Sequence, residues 1–170
     1  MRTLHVVGFK NSGKTTLITS WVRLLKNEGF TVSVLKHHGH NNPLDTPDIK
    51  TDSMQFFDSG ADVSAVVGGG AVQLFLNEEP DFIRMKELAT MTKPDILLIE
   101  GYKAEQGEKV VLLRGESDWD ELQNLHDIAL VVGDANIEFN PLNIISRAAN
   151  EQLNRWLLNW VREVNENETV

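Results

Sequence analysis

Residues 8–15 run Gly8-Phe9-Lys10-Asn11-Ser12-Gly13-Lys14-Thr15, the G-x-x-x-x-G-K-T spacing of a phosphate-binding P-loop. A short match of this kind can arise by chance in any Gly/Ser loop, so its context decides. An extended apolar run, Leu4-His5-Val6-Val7, leads in, and a helical pattern leads out. In that pattern Leu17, Ile18, Trp21, Val22, Leu24 and Leu25 form one face near a 3.6-residue period, and Gly29 stands where a C-terminal cap belongs. Strand, glycine loop and helix together fix the start of a fold and a class of ligand.

Such a loop must hold dense negative charge without a cage of cations. Backbone N–H groups in a tight Gly-containing turn converge on the phosphates. The following helix adds its unpaired N–H groups and the positive end of its dipole. Gly8, Asn11, Ser12, Gly13, Lys14, Thr15 and Thr16 are therefore the expected phosphate-binding residues. Lys14 is expected to reach the β- and γ-phosphates, Thr15 to ligate Mg²⁺ through its hydroxyl, and Thr16 to lie near the α-phosphate.

Extended segments near 2–8, 31–36, 62–67, 71–76, 95–100, 109–113 and 127–132 alternate with helical patterns near 14–28, 51–60, 81–91 and 145–162. Such alternation predicts an α/β chain with the three-layer P-loop NTPase fold and a mostly parallel central sheet. Gly68-Gly69-Gly70 joins two of the strands as a possible antiparallel hairpin. Residues 37–50, 102–108 and 115–121 read as polar loops. One nucleotide-binding domain is expected over 1–162, followed by a polar tail over 163–170.

Ile96-Leu97-Leu98-Ile99 is fully apolar and ends in Glu100-Gly101. A buried strand that delivers a carboxylate at its C-terminal end is the Walker B arrangement. Glu100 then joins Lys14 as a candidate catalytic residue and Thr15 as a candidate magnesium neighbour; the bland alternative is a surface glutamate. Asp45, in the loop after the second strand, is a candidate to complete the magnesium shell. His37, His38 and His40 share that loop. Their spacing is not that of a zincin and no thiolate is available, so a phosphate, partner or substrate contact is the preferred reading.

Thr92-Lys93-Pro94-Asp95 matches the [NT]-K-x-D pattern that reads guanine in many GTPases. It follows a helix and precedes the Walker B strand, which places it at the wrong edge of the sheet. Asp134, after the strand ending at Val132, is better placed to accept from guanine N1 and N2 protons; an ordinary turn aspartate is the alternative. Trp156 and Trp160, with Leu153 and Leu157, form a stripe on the last helix that reads first as core.

Composition narrows the classes. The chain has 170 residues, a formal net charge of −9 and no cysteine. The acidity argues against nucleic acid and anionic membrane as partners. The absence of cysteine excludes disulfides and thiolate metal sites. No apolar run approaches the roughly 20 residues of a membrane span and no signal peptide is recognisable, so a cytoplasmic location is expected.

Taken together, G-x-x-x-x-G-K-T-T-L at 8–17, Lys36-His37…His40 leading to Asp45, Lys50-Thr51-Asp52-Ser53, Gly60-Ala61 and Ile99-Glu100-Gly101-Tyr102-Lys103 resemble the molybdopterin-guanine dinucleotide biosynthesis protein B family, MobB. The resemblance covers nearly the whole chain. It implies a GTP-binding, Mg²⁺-dependent protein with weak GTPase activity, usually a homodimer. The family assists a MobA-like molybdenum-cofactor guanylyltransferase that attaches GMP to molybdopterin. By position it gives phosphate binding to Gly8 through Thr16 and the magnesium neighbourhood to Thr15, Asp45 and Glu100. Two other functions compete. One is a P-loop kinase of a small metabolite, which would need Arg84, Arg114 and Arg147 to converge on the phosphates. The other is a metal-delivery GTPase using the histidine cluster.

Overall fold

The computed structural model describes residues 1–38, 44, 51–133 and 144–163. In chain order the elements are β1 (Arg2–Gly8), α1 (Lys14–Asn27), β2 (Val32–Lys36), α2 (Asp52–Asp58), β3 (Val63–Gly68), β4 (Ala71–Leu76), α3 (Phe82–Ala89), β5 (Ile96–Glu100), β6 (Lys109–Leu112), α4 (Glu116–Leu122), β7 (Ile128–Gly133), β8 (Ile144–Ser146) and α5 (Asn150–Arg162). They fall into two compact units, Met1–Gly39 with Glu87–Val170, and His40–Lys86.

The first unit is a six-stranded sheet in the order β2-β5-β1-β6-β7-β8. All its pairings are parallel. Side chains alternate across a strand, and the two faces of the sheet accordingly bury different residues. Leu4 and Val6 of β1, Ile96 and Leu98 of β5, Val110 and Leu112 of β6, and Leu130 and Val132 of β7 pack with Ile18, Trp21 and Leu25 of α1 and Leu153, Leu157 and Trp160 of α5. On the opposite face Val7, Val111, Leu113 and Val131 pack with Trp119 and Leu122 of α4. Both faces of the sheet are thus covered by helices, as parallel sheets require. Among the described residues no helix is long and apolar enough to cross a membrane.

The second unit pairs β3 with β4 antiparallel, from Val63 opposite Leu76 to Gly68 opposite Ala71. Positive φ angles at Gly69 and Gly70 form the turn. Helix α2 lies on this hairpin: Ser64 Oγ donates to the Ser53 carbonyl at 2.8 Å, and the Phe57 and Phe75 rings sit 5.9 Å apart.

Two elements depart from expectation. Residues 115–121, expected as an acidic loop, hold α4. Glu116 and Asp118 stand in its first turn, where acids favour the helix dipole, and Trp119 and Leu122 are buried. Residues 145–149, expected within the last helix, are not helical. Ile144–Ser146 instead forms the edge strand β8 against Val131–Gly133, and α5 begins only at Asn150. Three residues carry too little periodic signal to compete with that pairing. The Trp160 end of the last-helix stripe is core: its ring is buried and its Nε1 donates to Glu108 Oε2 at 2.9 Å.

Candidate functional site

In a parallel sheet the ligand edge lies at the carboxyl ends of the strands. Here that edge gathers Gly8 at the end of β1, Lys36 at the end of β2, Glu100 at the end of β5, Arg114 just past β6 and Arg147 just past β8. The turn from β1 into α1 demands glycine at its first position. Gly8 has φ +149°, and a Cβ there would lie 2.5 Å from the Leu112 carbonyl oxygen and 2.7 Å from Ser12 Oγ. Asn11 and Gly13 also take left-handed backbone, at φ 64° and 92°. Ser12 N–H donates to the Phe9 carbonyl at 3.2 Å, and the Leu17 N–H donates to the Gly13 carbonyl at 3.0 Å.

Helix α1 starts without the usual devices. Its cap residue is Gly13, no side chain caps it, and no acid stands in its first turn. The positive end of the dipole therefore meets no counter-charge from its own helix. Ser12 Oγ beside it is buried and has no hydrogen-bond partner among the described residues, a costly arrangement for a polar atom.

Lys14 folds back over the loop. Its Nζ donates to the carbonyls of Phe9 at 2.7 Å and Gly8 at 3.1 Å. Burial pushes its pKa below the usual lysine value, with Glu100 opposing that shift and Lys36, Arg114 and Lys103 adding to it. Glu100 is 8% exposed. It accepts from Thr15 Oγ1 on Oε2 at 3.0 Å and pairs with Lys36 Nζ through Oε1 at 3.2 Å. Thr15 hydroxyl and Glu100 carboxylate, an all-oxygen pair, suit a hard divalent cation. The orphaned Ser12 hydroxyl, the space kept by Gly8 and the uncapped helix suit a phosphate chain. The residues present therefore fit both Mg²⁺ and a nucleoside triphosphate.

The loop is braced from outside. Asp118 of α4 is buried and accepts from Arg114 N–H and Nε on Oδ2, at 2.8 and 2.9 Å, and from Nη2 on Oδ1 at 2.7 Å. That guanidinium holds the Asp118 carboxyl below the usual carboxylate range. Arg114 also lies over the Phe9 ring at 5.0 Å and extends Nη1 toward the Lys10 carbonyl at 3.5 Å. Lys103 approaches the same ring at 5.0 Å. The sequence pattern does not announce this brace, since an acidic stretch at 115–121 reads as a loop; Trp119 and Leu122 at i, i+3 behind two acids are the signal that reveals the helix.

On the β5 side, Gly101 at φ +92° leaves only 3.3 Å between a would-be Cβ and His37 Cβ. His37 stacks on Tyr102 at 4.5 Å, and its N–H donates to the Glu100 carbonyl at 2.9 Å. Asp45, His40 and Asp134 lie outside the described residues. Among the described residues no group of three His, Cys, Asp or Glu side chains is arranged to hold a metal ion. Asp95 serves the fold locally. Its Oδ2 accepts from Thr31 N–H at 2.7 Å and Thr31 Oγ1 at 2.6 Å, tying together the starts of β2 and β5. This is the amino-terminal edge of the sheet, away from the P-loop. Of the three arginines a kinase would use, Arg114 and Arg147 flank the loop; Arg84 belongs to the His40–Lys86 unit.

A pocket of about 230 Å³ adjoins the loop on the side away from Glu100, bounded by Ser12, Gly13, Thr16, Arg147 and Asn154 among others. Asn150, Asn154 and Ser20, which also line it, belong to no sequence motif.

Comparison with known proteins agrees with the fold. Residues 3–134 match the family model described as molybdopterin guanine dinucleotide synthesis protein B. A probable molybdopterin-guanine dinucleotide biosynthesis adapter protein of Bacillus subtilis is 39% identical over 128 residues, 75% of this chain and 74% of that protein. The corresponding adapter protein of Haemophilus influenzae is 30% identical over 116 residues, 66% of this chain and 64% of that protein. The crystal structure of a MobB protein homolog from Bacillus stearothermophilus superposes with a TM-score of 0.78 at 35% identity, covering 95% of this chain and 99% of that one.

Proposed function

The chain belongs to the molybdopterin guanine dinucleotide synthesis protein B family, and from that premise we propose that it is a GTP-binding adapter with slow, Mg²⁺-dependent GTPase activity, serving the attachment of GMP to molybdopterin. The observation that carries the reading is the Gly8–Thr16 loop with Thr15 against Glu100. On this reading Lys14 leaves the Gly8 and Phe9 carbonyls and pairs with the phosphates. Gly8 keeps the loop open to them, and the first-turn amides of α1 hold them. Thr15 and Glu100, with Asp45, would hold Mg²⁺, which would supply neutralising charge at the phosphates. Glu100 orients water.

Slow hydrolysis follows from what surrounds the phosphates. An arginine finger adds about 10³–10⁵ in rate. Arg114 is held by Asp118 and braces the loop, so it is not free to move onto a transferring phosphoryl group. An adapter needs the bound state more than the turnover. Its partner is a guanylyltransferase of the MobA type, and molybdopterin is brought to the pair. Association with a second copy of this chain is supported by the exposed valines of the β3–β4 hairpin.

Product analysis with labelled GTP tests the reading. Release of inorganic phosphate alone, slowed about tenfold or more by Glu100→Gln with binding less affected in excess Mg²⁺, is the expected result. Transfer of the label to a metabolite would replace the adapter with a kinase, and an unchanged rate would remove Glu100 from the chemistry.

A further inference from the structure

Resting on the GTPase reading, we infer that Tyr102 and His37 are positioning residues for Glu100: the stack of their rings holds the end of β2 against the end of β5, and so fixes the direction of the Glu100 carboxylate. The starting observation is backbone strain. Gly101 and Tyr102, the two residues after Glu100, have φ angles of 92° and 51°. Glycine takes such angles freely, and a bulky L-residue does not. Among the described residues Tyr102 is the only aromatic one with a positive φ. A strained conformation persists where its surroundings over-determine it, and such residues cluster at functional sites. Core packing does not account for this one. Tyr102 is half-buried and His37 is exposed, so their stack, with centroids 4.5 Å apart and planes 30° apart, removes little surface from water.

What the stack holds is the frame around Glu100. Gly101 N–H donates to the Val6 carbonyl at 3.1 Å, and His37 N–H donates to the Glu100 carbonyl at 2.9 Å. Lys36, the residue before His37, is the register partner of Glu100 and also its ion partner, with Nζ 3.2 Å from Oε1. A Cβ on Gly101 would stand 3.3 Å from His37 Cβ, so His37 sits against the glycine face. The left-handed pair of residues turns the chain back and sets the Tyr102 ring beside the end of β2. Lys36 and His37 are exposed there, where backbone hydrogen bonds open readily. The two groups that hold Glu100 from the β2 side, the His37 N–H and the Lys36 ammonium, therefore depend on one ring contact. With its carbonyl and Oε1 held, Glu100 presents Oε2 to Thr15 Oγ1 at 3.0 Å, the oxygen pair that suits a divalent cation.

Two measurements on the full chain test this. One is steady-state GTP hydrolysis. The other is Mn²⁺ titration of the GTP-saturated chain by electron paramagnetic resonance, Mn²⁺ sharing the oxygen preference of Mg²⁺. Tyr102→Gly removes one ring and relieves the backbone, and His37→Ala removes the other ring. A misplacement of about 1 Å costs up to about 10²-fold in rate. Each variant is expected to lower kcat and weaken Mn²⁺ by about tenfold, with KM for GTP within about threefold of wild type. The double variant should be no worse than either single one, because both remove the same contact. Tyr102→Phe, which keeps the ring, should match wild type in both measurements. Wild-type kcat and Mn²⁺ affinity in His37→Ala, additive losses in the double variant, or a Tyr102→Phe as impaired as Tyr102→Gly overturns the positioning role. His37→Ala leaves residue 102 unaltered, so it decides the matter even where Tyr102→Gly loses its fold. A wild-type chain that binds GTP but releases no phosphate overturns the GTPase reading alone, since the Mn²⁺ titration still decides the positioning role. One that binds no GTP overturns both.

Discussion

The two compact units solve the problem of burying apolar residues in opposite ways. In the sheet unit every residue of β5 and β6 is buried, even Lys109, whose Nζ donates to the Gly107 carbonyl at 2.9 Å. In the His40–Lys86 unit the hairpin leaves Val67 79% and Val72 66% exposed, and these two residues are cross-strand partners. A two-stranded ribbon is marginal alone, and apolar residues paired on its exposed surface favour contact with another surface. The contrast teaches a division of labour. The covered sheet supplies an edge on which the Gly8–Thr16 loop, the Glu100 carboxylate, Arg114 and Arg147 are gathered. The hairpin supplies surface.

The sharpest way to break this comparison is to damage one unit and read both functions. Gly8→Val places carbon against the Leu112 carbonyl and Ser12 Oγ at a φ that side chains rarely adopt. GTP affinity should fall about a hundredfold or more, about 2.7 kcal/mol, while sedimentation velocity shows an unchanged oligomeric state. Affinity within a few-fold of wild type would show that the loop does not need the space Gly8 keeps.

Damage to the other unit should give the mirror image. Val67→Glu with Val72→Glu puts like charges opposite each other on the exposed ribbon. Self-association, followed by sedimentation equilibrium, should weaken about tenfold or more with GTP affinity unchanged. An oligomer as tight as wild type would remove the hairpin from the interface.

The smallest effect concerns the brace behind the loop. Arg114 lowers the Asp118 pKa below its ordinary 3.8. The ion pair therefore adds stability at pH above that unfolded value, and the contribution is lost as pH falls through the lower folded value. Arg114 is about half exposed, so solvent screening keeps the contribution modest. Thermal midpoints should fall with pH below about 3.8 in the wild type and do so less steeply in Asp118→Asn. Identical pH profiles would mean that the pair does not stabilise the fold.

What is legible in the sequence follows the same contrast between local and long-range causes. The P-loop, the apolar β5 run ending at Glu100 and the Gly68–Gly70 turn each carry their signal within a few residues, and each falls where expected. Helix α4 and strand β8 are settled by partners distant in sequence: α4 by burial against Val111 and Leu113, β8 by pairing with β7. Arg147 and the amides of α5 gain meaning only once β8 and α5 stand beside α1. The resemblance carried by separate motifs reaches the same family that the comparisons identify.

The central claim is that the loop between Gly8 and Thr16 seats the phosphates of a nucleotide. The most direct test is calorimetric titration of GTP, in excess Mg²⁺, into the wild-type chain and Lys14→Ala. Saturable binding is expected, one GTP per chain, weakened at least about tenfold, or about 1.4 kcal/mol, in the variant. Equal affinity in the two proteins, or no saturable binding to the wild type, would contradict it.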